Sequence, residues 1–442
     1  MVASGARAVA RCDALGRPPY SAEPDMLFRA YLTPAHAAAQ EAIAGWMIEA
    51  GMQARLDPAA NLIGRYEGSD PAAPALIIGS HIDSVRDGGF YDGPLGVMLG
   101  IECVAALCKA GKRLPFPIEV VGFGDEEGSR FPSSMLTSRA VAGTLDAAEL
   151  DISDREGVKL SDALSSFPRH ASEGWHLRRQ ESTLTPETPA FAGVTSEEDR
   201  VPRYLEARHA PALAYLEAHI EQGPVLEAEG LSVGVVTGIA SQLRYQITVT
   251  GMAGHAGTTT MPLRRDALTA AAEMVLAAER IARAEASDVV ATVGRMIVGP
   301  GAPNVIPGRV DFTLDVRSLD VGRRDRVAAA ILTEFETIAS AREAGLVFEQ
   351  VNDLPASPCN PALMELLAQS VTAIGQPDFR LPSGAGHDAM VMAALCPTAM
   401  LFIRCEKGIS HNPAEHVDPA DVEIALQAML GFIDRLGDSF AA

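Results

Sequence analysis

Apolar and polar positions change period several times along this chain, and each change marks an element. The run TPAHAAAQEAIAGWMIEAG, residues 33–51, predicts a helix with Thr33 as N-cap, Pro34 in the first turn and Gly51 as the stop. Two short strand-like pieces follow. ALIIGSH, residues 75–81, is continuously apolar and then turns polar, as a strand buried on both faces does. GPLGVMLGIECVAALCKAG predicts a helix closed by Gly111, and PIEVVGFGDEE a second buried strand. Strand, helix and strand at this spacing make a βαβ unit, hence a parallel α/β sheet. The polar clusters at His81 and at Glu126–Glu127 then fall at the carboxyl ends of strands, where open α/β sheets place their ligands.

A different pattern occupies residues 244–351. RYQITVTG alternates as a strand, and RDALTAAAEMVLAAERIA has helical spacing. VVATVGRMIV and RVDFTLDVRS are strands, the latter with Val310, Phe312, Leu314 and Val316 on one face. RRDRVAAAILTEFETIASA is helical and GLVFEQV a last strand. The order βαββαβ is the ferredoxin-like split unit. Elements from about residue 360 onward make no complete core by themselves and must rejoin the first domain. The expected organisation is a larger α/β domain over 1–238 and 354–442, with a small α+β domain inserted at 239–353. Residues 168–200, rich in Ser, Thr, Pro and Glu without a sustained period, read as a long surface loop or disorder. His170 and His176 lie in it and receive no role.

Composition narrows the functions. At 442 residues two domains are the default. A net charge of −21 argues against nucleic acid and against an anionic membrane surface, and means that an anionic substrate needs a local cationic pocket. The six cysteines form no CxxC pair and read as buried free thiols, which fits a reducing compartment. The N-terminal stretch has no apolar signal-peptide core, and no apolar run approaches the ~18 residues that span a bilayer. A soluble cytoplasmic protein is expected.

Chemistry enters at GSHIDSVRDGGFYDGPLGV, residues 79–97. The His81 imidazole and the Asp92 carboxylate suit a borderline divalent metal. Asp83 is placed to hold or polarise the His81 ring, and the glycines let the loop return Asp92 to the metal. Read alone, the stretch equally fits a glycine-rich turn whose aspartates cap the helix after Pro94. Asp125, Glu126 and Glu127 follow an apolar strand, and three adjacent carboxylates repel one another unless a cation sits among them. One glutamate would ligate it and the other act as general base. His219 in YLEAHIEQGPVLE and His387 in LPSGAGHDAM each read, taken singly, as packed core histidines. Together His81, Asp92, Glu127, His219 and His387 make a ligand set sufficient for two metals, with Asp92 as the bridge.

These stretches, with AHIEQGPVLEAEG, TGMAGHAGTTTMPLRRDA and PNVIPGRVDFTLDVRS, resemble the di-metal amidohydrolases of the aminoacylase and carboxypeptidase superfamily. The resemblance is nearest to the branch acting on ureido compounds, and covers nearly all of the chain except 168–200. It implies two divalent ions, zinc or manganese, on His81, Asp92, Glu127, His219 and His387, with Glu126 as the base. It implies a homodimer formed through the small domain, with His255 reaching the partner's site to stabilise the oxyanion. Asn304 and Arg317 resemble the residues that hold the substrate carboxylate. Gln242, in SQLRYQITVTG, resembles a glutamine that contacts substrate in allantoate enzymes. The implied reaction is hydrolysis of allantoate to ureidoglycine, with release of ammonia and carbon dioxide. Other readings are an N-carbamoyl-L-amino acid hydrolase or β-ureidopropionase, an aminoacylase or dipeptidase, and a non-catalytic binding protein.

Overall fold

The computed structural model describes residues 3–167, 200–285 and 287–441. Most of the segment read as a long loop lies outside these; its last residue, Arg200, opens the helix Arg200–Leu205. The chain divides into two compact units. The first comprises Met1–Thr237, Cys359–Leu381 and His387–Ala442; the second comprises Gly238–Pro358 and Pro382–Gly386. Among the described residues no helix is long and apolar enough to cross a membrane. All six cysteines are free; Cys108 is exposed and the other five are buried.

The first unit is built on a mixed sheet from β1 (Gln53–Leu56), β2 (Leu62–Tyr66), β3 (Leu76–His81), β4 (Ile118–Phe123), β5 (Ala214–Ile220), β6 (Val233–Ile239) and the strand Thr398–Ile403. The order is β1-β2-β4-β3-β5, then Thr398–Ile403, then β6. β4, β3, β5 and Thr398–Ile403 run parallel. All four are buried at every position and are predominantly apolar, as strands covered on both faces are, with Glu119 in β4 and Glu217 and His219 in β5 among the buried polar exceptions. Helix α1 (Gly5–Leu15) gave no sequence signal that we recognised. Helix α2 (Pro34–Glu49) starts at Thr33, whose hydroxyl accepts from the His36 N–H. Helix α3 (Pro94–Lys109) connects β3 to β4.

The second unit has its own core. Strands β7 (Ser241–Thr250), β8 (Met296–Gly299), β9 (Arg309–Ser318) and β10 (Gly345–Leu354) lie in the order β8-β9-β7-β10, all pairs antiparallel. The piece read as one strand over 289–298 is broken, with Val290–Thr292 pairing β9 separately from β8. Helices α4 (Ala267–Glu285) and α5 (Val321–Ala341) supply Met274, Ile331 and Phe335 to the core. Period-2 alternation sends Ile247, Val249, Phe312 and Leu314 into that core. Gln246, Thr248, Asp311, Asp315 and Arg317 alternate with them on the other face.

Candidate metal centre

Four parallel strands deliver polar groups to one end of the first unit's sheet. β3 ends at His81, Asp125–Glu127 follow β4, His219 is the penultimate residue of β5, and His411 lies in the loop after Thr398–Ile403. Register explains the first pairing. Leu76 faces Ala214 and Ile78 faces Leu216, and the same offset carried forward sets His81 beside His219, ring centroids 5.7 Å apart.

The two imidazoles are oriented from behind. His219 Nδ1 lies 2.9 Å from the Ile220 carbonyl oxygen, and His81 Nδ1 lies 3.2 Å from the Asp83 carbonyl oxygen. Each Nδ1 therefore carries a proton to donate, which leaves each Nε2 free to offer a lone pair. The Nε2 atoms lie 3.2 Å (His219) and 3.3 Å (His81) from Oδ1 of Asp92. Oδ2 of Asp92 points the other way, 3.4 Å from Nε2 of His411, which is also 3.4 Å from Oε1 of Glu127. Asp92 thus belongs to two ligand groups, His81–Asp92–His219 and Asp92–Glu127–His411; a third group joins His81 to Glu126 and Glu127. The capping alternative for Asp92 is excluded, because the N-cap of α3 is Gly93, with no side-chain cap. Gly93 has a φ of +85° and packs against the His81 ring, where a Cβ would come within 2.4 Å.

Asp83 is fully buried, and its carboxylate accepts the backbone N–H groups of Glu126 (3.1 Å) and Glu127 (3.2 Å). It also lies 3.4 Å from His81 Nδ1, so one side chain ties the β3 end to the β4 end. No lysine or arginine neutralises Asp92, Glu126 or Glu127 among the described residues, and buried His219 Nε2 has no hydrogen-bond partner. Converging lone pairs and uncompensated carboxylates fit a divalent cation.

Titration follows the same geometry. Burial raises Glu126 well above the usual glutamate range, the neighbouring Glu127 adds to this, and His81 opposes it. Burial likewise brings Glu127 to about 8, with Asp92 and Asp83 adding to it against His81. For Asp92, burial is outweighed by His219 and His81, which hold it well below the ordinary aspartate value. Burial would depress His81 and His219, yet their carboxylate partners, Asp83 and Asp92 for the first and Asp92 for the second, raise both.

His387 stands apart from all three ligand groups. It is buried, its ring centroid is 4.4 Å from that of His219, and burial followed by His219 keeps it well below the ordinary histidine value. His411, rather than His387, joins Asp92 and Glu127 in a ligand group, and our sequence reading did not single it out. Its signal was available: GISHNPAEH is a polar cluster after the apolar run TAMLFI, like those after β3 and β4. Gln222 and Ser410 were also missed; both donate to Asp92 Oδ2, Gln222 from 2.8 Å. Gln222 and His411 have φ of 56° and 54°, left-handed conformations that cost a non-glycine residue energy and cluster at functional sites.

The remaining sequence-predicted residues lie in the second unit. Arg317 and Gln242 are register partners across β9 and β7, and both donate to Asp315, as does Arg244. Arg317 also donates to the Gly384 carbonyl, 2.7 Å away. His255 and Asn304 are exposed and adjacent, the Ala256 N–H donating to the Asn304 carbonyl.

The model of peptidase family M20/M25/M40 matches residues 77–435. An N-carbamoyl-L-amino acid amidohydrolase of Geobacillus stearothermophilus is 40% identical over 88% of this chain and 88% of its own length. The allantoate deiminase of Arabidopsis thaliana is 36% identical over 97% of this chain and 81% of its own. The crystal structure of an amidase of the hydantoinase/carbamoylase family from Burkholderia multivorans superposes with a TM-score of 0.84 at 33% identity, over 98% of both chains. The chain belongs to peptidase family M20/M25/M40, whose enzymes use divalent metals, and is a hydrolase of amide bonds.

Proposed function

We propose that this protein hydrolyses the ureido C–N bond of allantoate at a centre holding two divalent ions, zinc or manganese. One observation carries the reading: Asp92 offers Oδ1 to His81 and His219 and Oδ2 to His411, beside Glu126 and Glu127. His81, Asp92 and His219 would hold one ion; Asp92, Glu127 and His411 the other. The ions supply Lewis acidity toward the ureido carbonyl and toward the attacking water.

Glu126 takes the proton from that water, and burial beside Glu127, which raises its pKa, favours its holding the proton that it must then give back. Glu126 then protonates the leaving nitrogen as the C–N bond breaks, and the carbamate released decomposes to ammonia and carbon dioxide. Asp83 keeps Glu126 and Glu127 in place through their backbone N–H groups. We assign His255, from the partner subunit of a homodimer, to the oxyanion, with Asn304 and Arg317 on the substrate carboxylate. The Gln242 amide suits a ureido group, which both donates and accepts hydrogen bonds.

A second reading, an N-carbamoyl-L-amino acid hydrolase, is favoured by the 40% identity to the Geobacillus enzyme. The deciding experiment measures kcat/KM for allantoate, N-carbamoyl-L-amino acids and N-carbamoyl-β-alanine side by side. A preference for allantoate supports the first reading, and a preference for a carbamoyl amino acid replaces it.

A further inference from the structure

Asp92 reaches the centre on a pliable loop. Gly88 and Gly89 precede it and Gly93 follows, so the chain there has little stiffness of its own. The backbone N–H groups of Tyr91 and Asp92 are buried and require an acceptor. Both find the same atom: Oε1 of Glu415, 2.8 Å from the Tyr91 nitrogen and 3.1 Å from the Asp92 nitrogen. Glu415 is itself buried, with 6% of its surface exposed. Its fit against the loop is tight, since a Cβ on Gly89 would lie 2.1 Å from the Glu415 carboxyl carbon.

Glu415 belongs to the loop that carries His411. From that loop Ser410 and His411 address the Asp92 carboxylate, while Glu415 grips the Asp92 backbone. The loop therefore brings one ligand of the centre and fixes the direction of another. Our sequence reading gave Glu415 no role.

We infer that Glu415 is a positioning residue for the shared ligand Asp92, holding its loop so that the carboxylate faces both histidine groups at once, and that ion affinity depends on this grip. This rests on the proposed two-ion centre. Residues that orient a metal ligand from behind typically contribute about 10–100-fold in affinity.

The test titrates Mn²⁺ into the chelator-stripped full chain by calorimetry, and records the melting temperature with and without the ion. Glu415→Ala should bind Mn²⁺ about 10–100-fold more weakly and lose much of the ion-induced rise in melting temperature. A role in stability alone would lower both melting temperatures together and leave the rise intact. Gly89→Ala, which pushes the Glu415 side chain away while keeping it present, should show the same weakening. Glu415→Gln, whose amide oxygen accepts the same two N–H groups, should bind like the wild type. Should Glu415→Ala not fold, Glu415→Asp decides, because the shorter side chain should weaken binding in the same direction. Wild-type affinity in the alanine or aspartate variant, or a glutamine variant as weak as alanine, would overturn the inference. A wild-type chain that takes up no ion would instead overturn the two-ion centre, and the inference with it.

Discussion

Nε2 of His411 lies 3.4 Å from Oδ2 of Asp92, on the opposite side of that carboxylate from His81 and His219. This relationship makes His411 rather than His387 the fifth ligand of the proposed centre. His411→Ala should lose about one of two bound ions, because it removes a ligand from one group and leaves His81–Asp92–His219 complete. His387→Ala should retain both. Elemental analysis after equilibration with a weak chelator distinguishes the two. The reverse pattern would restore His387 as the ligand.

Glu126→Gln separates holding an ion from moving a proton. The amide keeps the size of the side chain and leaves the backbone N–H on Asp83 untouched, but it cannot accept a proton. Ion content should stay at the wild-type level while kcat falls about 10²–10⁴-fold. Near wild-type turnover would move the base elsewhere, and Glu127 is the adjacent candidate.

Ion affinity should rise with pH. His81 and His219 are raised above the ordinary histidine value, and Glu127 sits at about 8. Each must shed its proton to bind a cation, so below these values protons compete with the ion. Affinity should gain about tenfold per pH unit for each proton displaced, over the range in which these groups titrate. Calorimetry in two buffers of different ionisation enthalpy counts the protons released. An affinity that stays flat between about pH 6 and 8 contradicts the assignment.

Much of the centre was legible because parallel strands buried on both faces leave long apolar runs, and the polar residues after them stand out. That logic found His81, Glu126 and Glu127 and applied equally to His411. His411 was passed over because the cluster GISHNPAEH lacks the glycine-dense turn that flags Asp92, and because His387 matched the expected histidine more readily. Glu415 and Gln222 act through contacts distant in sequence, which no local pattern encodes. Helix α1 was legible and was passed over. Ala8, Val9, Cys12 and Leu15 recur at helical spacing on its buried face, but the stripe is short, built mostly of small side chains, and shares that face with Arg11, whose guanidinium meets the buried Glu102.

The proposed homodimer has its own test. If His255 serves the partner's site, His255→Ala and Glu126→Gln chains should each be nearly inactive alone. Mixed and allowed to exchange, they form heterodimers with one site that has both residues intact. Statistical exchange makes about half of the dimers mixed, so recovery should approach roughly a quarter of wild-type activity. No recovery, with exchange confirmed by native mass spectrometry, would place His255 in its own chain's site or outside catalysis.

The central claim is that an ion-dependent centre on Asp92 cleaves ureido bonds. The most direct measurement is ammonia release by the Mn²⁺-loaded chain from allantoate and carbamoyl-amino acids, set against cleavage of N-acyl-amino acids and dipeptides. The account predicts ammonia from the ureido compounds, its loss on chelation and its return with Mn²⁺, and negligible cleavage of the acyl and peptide substrates. Cleavage of acyl-amino acids or dipeptides with no ammonia from any ureido compound, or turnover that survives complete removal of the ions, would contradict it.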